Sequence, residues 1–182
     1  MNKKKVSDGI YLVNAHGGKI LYTGKNVIKD CKGVKYIGIK KDSKAICIAL
    51  KDLRGRKPLT CRSDNTENYN NYISDKNLVA SDWNGKKNTE HLKEIGLFAA
   101  IHLKKGEYIP SIGELKFIQF YSKEINEALE FAGGKQLSDC YLSSSEKSKR
   151  YSWILLMHSG LIDSYIGGKD IDKGFIRLVK EF

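Results

Sequence analysis

Residues 141–153, YLSSSEKSKRYSW, crowd Ser143, Ser144, Ser145 and Ser148 among the cations Lys147, Lys149 and Arg150 and the aromatics Tyr141, Tyr151 and Trp153. Residues of these types serve a nucleophilic serine, a phosphate cradle, a recognition surface or a solvated loop. A serine nucleophile needs a strained elbow, with a histidine and an acid brought to it. No G-x-S-x-G glycines flank these serines, and His16, His91, His102 and His158 stand outside any catalytic motif. A phosphate cradle needs a glycine-rich loop opening a helix. The chain has no such fingerprint; NAHGGK, residues 14–19, lies between two β-rich runs and reads as a hairpin turn. Cys31, Cys47, Cys61 and Cys140 form no close pair of the kind zinc requires, and Cys47 in AICIAL reads as a small core residue. The residues therefore predict no enzyme, no metal and no cofactor, and they leave recognition by a surface.

Charge sharpens that expectation. Residues 1–60 carry 15 Lys/Arg against 4 Asp/Glu, an excess of 11, and residues 61–182 carry 17 of each. The formal net charge of +11 thus belongs to the N-terminal third. A localised basic field attracts nucleic acid, an anionic surface or an acidic protein, and equally serves solubility. No run approaches the roughly eighteen apolar residues of a membrane helix. The basic start MNKKKVSDGIYLV lacks the longer apolar segment of a signal peptide, so synthesis in a cytoplasm is expected.

The elements that must position these residues follow from pattern. GIYLVNAHGGKILYT reads as a hairpin about Gly17-Gly18, and GVKYIGIKKDSKAICIAL as a second one turning at Lys41-Asp42-Ser43, with a buried strand over 45–50. Residues 51–80 lose periodicity and read as irregular. A helix capped by Asn88 or Thr89 carries Leu92, Ile95 and Ala99, and Ser111 with Glu114 forms a capping box ahead of Leu115 and Ile118. Ser122 recaps a further segment through Ile125 and Leu129, which Gly133-Gly134 ends. Three short β-rich runs close the chain. The pattern predicts an α+β domain: a basic β-hairpin-rich part over 1–60, an irregular region over 61–87, and a module of helices and a closing antiparallel meander over 88–182, with one compact domain as the other arrangement of these parts.

Four stretches in order carry a resemblance: YIPSIGEL (108–115), INEALEFAGG (125–134), LSSSEKSKRYSW (142–153) and IRLVKEF (176–182). They resemble the motifs of a C-type-lectin-like domain family of Bacteroidales and their phages, related to formylglycine-generating-enzyme-type domains and to the variable proteins of diversity-generating retroelements. GIYLVNAHGGKILYT and SDWNGKKNT resemble segments that precede this module in phage and prophage members. Leu142 replaces the family's tryptophan, Leu178 its closing proline and Lys180 its last arginine, and its variable positions are Lys147, Lys149, Arg150 and Tyr151. Formylglycine-generating chemistry would need a reactive cysteine pair in the C-terminal part, where only Cys140 lies. Neither Pro58 nor Pro110 stands in a calcium-lectin triplet.

The resemblance implies a non-catalytic binding or structural module of a phage or prophage virion. Its face around 141–165 would use Tyr141, Tyr151 and Tyr165 for rigid contact and Lys147, Lys149 and Arg150 for an anionic preference. The partners implied are a receptor protein, a glycan or a neighbouring virion protein, with a second copy of the chain as a further one. A nucleic-acid-associated basic protein is the alternative. For Trp153, a place in the core is the stronger expectation.

Overall fold

The computed structural model describes residues 6–24, 33–56, 58–60, 71–98, 101–164, 169 and 174–182. Its first sheet grows from the two predicted hairpins. Strands β1 (Gly9–Asn14) and β2 (Lys19–Leu21) pair antiparallel, Leu12 facing Ile20, around Gly17, whose φ of 82° suits glycine. Strands β3 (Val34–Lys41) and β4 (Lys44–Ala49) pair with Ile39 opposite Ile46, and Asp42 takes the left-handed turn position at φ 54°.

Among the described residues four helices and five further strands follow: α1 (Lys76–Val79), α2 (Gly85–Glu94), β5 (Glu107–Tyr108), α3 (Ile112–Phe120), α4 (Ser122–Phe131), β6 (Cys140–Glu146), β7 (Ser152–Leu156), β8 (Ile162–Asp163) and β9 (Val179–Glu181). The fold is α+β, with two antiparallel sheets, β2-β1-β3-β4-β9-β5 and β6-β7-β8. Of the three runs expected to form the closing meander, the first two supply β7 and β8, which pair behind β6, while the last strand leaves for the other sheet. β9 inserts between β4 and β5, with Cys47 opposite Lys180 and Glu107 opposite the same lysine.

Alternation sorts the first sheet into two faces. Leu12, Ile37, Ile39, Ile46, Ile48 and Val179 point inward and share one core with Leu115, Ile118, Ile125 and Leu129 of α3 and α4 and with Trp153 and Leu155 of β7. Outward, Tyr11, Val13, Tyr36 and Cys47 form a small second cluster under Phe182. Gly38 permits this, because a Cβ there would stand 2.7 Å from the Phe182 ring.

Ser111 and Glu114 form the predicted capping box, the serine hydroxyl accepting from the Glu114 N–H and the glutamate from the Ser111 N–H. α2 instead begins at Gly85 behind Asn84, earlier than Asn88 or Thr89. Thr89 lies inside the helix, where its hydroxyl donates to Gly85 O at 2.7 Å and accepts from Ile109 N at 3.0 Å. Ser122 opens α4 without a side-chain cap.

Candidate functional site

The serine segment is built into the interior. β6 and β7 pair regularly from Cys140–Leu156 to Leu142–Ile154, then the register slips until Glu146 faces Ser152. The slip lifts Ser143, Ser144 and Ser145 out of the ladder and turns their hydroxyls onto neighbouring groups. Ser143 donates to Trp153 O at 2.7 Å and Ser144 to Ile109 O at 2.8 Å. Ser145 donates to Asp82 Oδ2 at 2.5 Å and accepts from Ile112 N at 2.9 Å, which satisfies an otherwise orphaned N–H of the first turn of α3. Ser111 Oγ adds a bond to Asp82 O at 2.7 Å. All three serines are fully buried, so their polar groups join β6 to the loop before α2 and to the start of α3.

Carboxylates complete this joint. Glu114 receives the Ser111 N–H at 2.8 Å and the Tyr108 hydroxyl at 3.1 Å. Burial pushes its pKa up to about 7, against the opposing pull of those hydrogen bonds. Burial and the neighbouring Glu114 carboxyl also raise the pKa of the Tyr108 phenol. Glu146 sits between the Lys169 ammonium, Nζ at 2.5 Å, and the His91 imidazole, Nε2 at 3.4 Å. Lys169 is completely buried, and its own N–H donates to Arg150 O, so the pair anchors the β6–β7 turn.

The predicted contact residues therefore part company. Tyr141 is wholly buried in the main core, a correction to its expected place on an exposed face: strand β6 is covered on both sides, so alternation does not bring it to solvent. Lys147 is half-buried, donating to Ser164 Oγ at 2.8 Å with its ammonium 5.0 Å above the Trp153 ring. Lys149, Arg150 and Tyr151 are exposed together at the β6–β7 turn. Tyr165 lies outside the described residues. Trp153 is a core residue, its indole N–H donating to Ile73 O at 2.7 Å.

A second cationic group emerges only in three dimensions. Lys35 and Lys51, from the basic N-terminal third, meet Lys104, Lys105 and Lys180 around a hollow of about 500 Å³ floored by Tyr36. Among the described residues none of these five ammonium groups has an ion-pair partner. Among the described residues Glu107 is the hollow's one carboxylate, and its oxygens already accept from the Tyr36 hydroxyl at 2.7 Å and from Lys104 N at 2.9 Å. Lys180 lies 5.5 Å from the Tyr36 ring centre. An unpaired cluster of this kind attracts an anion with several charges.

No group of three or more His, Cys, Asp or Glu side chains placed to hold a metal ion occurs among the described residues. Among the same residues, no helix is long and apolar enough to cross a membrane.

No family model matches this chain, and no curated protein matches it. Among solved structures, the chain is similar in fold to a fimbrial protein from Bacteroides ovatus ATCC 8483, with a TM-score of 0.68 and 15% sequence identity. The likeness covers 97% of this chain and 49% of that one, so the chain spans about half the length of the fimbrial protein whose fold it shares.

Proposed function

We propose that this chain is a non-catalytic binding or structural module, on a C-type-lectin-like scaffold, that holds an anionic partner within a larger assembly such as a phage or prophage virion. One observation carries the reading: the serines, acids and histidine around residues 141–153 are engaged inside the fold, while surface cations have no ion-pair partner among the described residues. Ser143, Ser144, Ser145 and Glu114 are closed off inside the fold, where a substrate does not reach them, which supports contact rather than catalysis. The likeness in fold to a fimbrial protein supports a role in an assembly, and the family resemblance supports the virion. The partner meets the lysine-ringed hollow, with Lys149, Arg150 and Tyr151 as a second contact.

Surface-binding measurements test this. Wild-type protein, Lys104→Glu/Lys105→Glu and Lys149→Ala/Arg150→Ala/Tyr151→Ala are passed over immobilised poly-L-glutamate and duplex DNA at low and high salt. Wild type should hold polyglutamate with an affinity that falls as salt rises, and the hollow variant should lose at least about tenfold. Equal binding by all three proteins would sink the reading. Tighter, steeply salt-dependent capture of DNA would favour the nucleic-acid alternative.

A further inference from the structure

Helix α3, IGELKFIQF, is apolar on both sides. A helix side that carries large apolar residues is normally covered. Here Ile112, Leu115 and Ile118 enter the core, while Phe120 on the other side is 76% exposed, the largest exposure of any large apolar residue described. Phe120 ends a row of rings in edge-to-face contact: Trp83 to Phe117 at 5.3 Å, Phe117 to Tyr121 at 5.4 Å, and Tyr121 to Phe120 at 4.9 Å. The row borders a hollow of about 530 Å³ between α3 and the β3–β4 turn. Through Ala80 and Lys116 this hollow continues into a second one of about 500 Å³, reaching Leu161, itself 45% exposed. Lys44, Lys76 and Lys116 rim the trough without an ion-pair partner among the described residues, Lys44 lying 4.8 Å from the centre of the Trp83 ring.

We infer that this trough docks an acidic segment of a partner protein that carries leucine or phenylalanine anchors. Charge complementarity chooses the acid: among the described residues Lys41, Lys44, Lys76 and Lys116 line the trough against one carboxylate, Asp42, and of these lysines only Lys41 is ion-paired, to Asp8. It also disfavours a second copy of this chain, whose net charge is +11. Ring geometry favours side-chain anchors over an extended sugar chain. Successive rings are inclined at 74°, 69° and 74°, so no two neighbouring faces make the flat platform on which sugar rings stack. Edges and gaps of this kind receive branched and aromatic side chains, with the exposed Phe120 as the anchor. Among the described residues the trough shares no lining residue with the lysine-ringed hollow of the first sheet or with the β6–β7 turn, so it would be a contact separate from both.

The test compares two fluorescein-labelled eight-residue peptides by polarisation. One alternates glutamate with leucine or phenylalanine; the other has serine in place of each apolar residue. The wild-type protein should bind the apolar-acidic peptide at least about tenfold more tightly. Phe120→Ser, a surface change, should remove that advantage, and Lys104→Glu/Lys105→Glu should keep it even where both peptides weaken together. Any of four results would overturn the inference: no difference between the peptides, an advantage that survives Phe120→Ser, equal binding of a peptide with lysine for glutamate, or a wild-type dimer in sedimentation that Phe120→Ser dissociates. Because the advantage is a ratio, failure of the polyglutamate experiment leaves it measurable on its own.

Discussion

At the scale of single residues, Glu114 shows how a capping glutamate acquires a chemical burden. A capping box on a surface helix leaves its glutamate solvated. Here Gly85 and Ile109 close over the box, and a Cβ at Gly85 would stand only 2.1 Å from Glu114 Oε2. The carboxyl is 2% exposed, and its pKa rises from an ordinary 4.5 to about 7. Between those values the folded chain keeps a proton that the unfolded chain has released. Stability must then fall as pH rises, with the full benefit present below about 4.5 and lost above about 7. Glu114→Gln keeps an acceptor for the Ser111 N–H and has nothing to ionise. The variant should gain on the order of 2–3 kcal/mol over wild type between pH 5 and pH 8, read as the change in their difference in urea unfolding. Parallel pH profiles would show that the carboxyl titrates as it does in water.

At the scale of elements, local chemistry was legible and long-range pairing was not. The hairpins announce themselves through alternation and through Gly17 and Asp42, and the α3 cap through Ser111 and Glu114, because each signal lies within a few residues. The start of α2 misled because Thr89 looks like a cap, yet its hydroxyl back-bonds within the helix; Gly85 held the better clue. Nothing in IRLVKEF says that β9 will pair between β4 and β5. The lysine-ringed hollow was equally hidden, since Lys104, Lys105 and Lys180 lie in a stretch of balanced charge. The docking of α3 on the loop before α2 can be probed at Gly113, where a Cβ would come within 2.3 Å of the Asp82 carbonyl oxygen. Main chain held by Ser111 and Gly113 has little room to retreat. Gly113→Ala should cost at least about 3 kcal/mol, the upper part of the overpacking range, although alanine favours a helix over glycine. A variant as stable as wild type in urea would mean that the loop moves freely.

At the scale of the whole molecule, one buried guanidinium joins parts of the chain far apart in sequence. Arg177 is 1% exposed and donates Nε to Asp52 Oδ1 at 2.6 Å, one terminal nitrogen to Ala49 O at 3.0 Å and the other to Lys135 O at 2.8 Å. It thus pins the segment entering β9 to the end of β4 and to the loop between α4 and β6. Lys135 closes the network from outside, its ammonium 2.7 Å from Asp52 Oδ2. The planar fork of arginine reaches three acceptors where a lysine reaches fewer. Removing it leaves the buried Asp52 carboxylate without its guanidinium and leaves two carbonyls short of a donor. Arg177→Met should therefore cost about 3–5 kcal/mol. If the loss comes from the stranded charge, Asp52→Asn/Arg177→Met should be less destabilised than the sum of the two single variants by about 1–3 kcal/mol. Additive losses in urea unfolding would show that Arg177 acts through its packing and its carbonyl bonds alone, with the ion pair contributing nothing to the closure of the first sheet around β9.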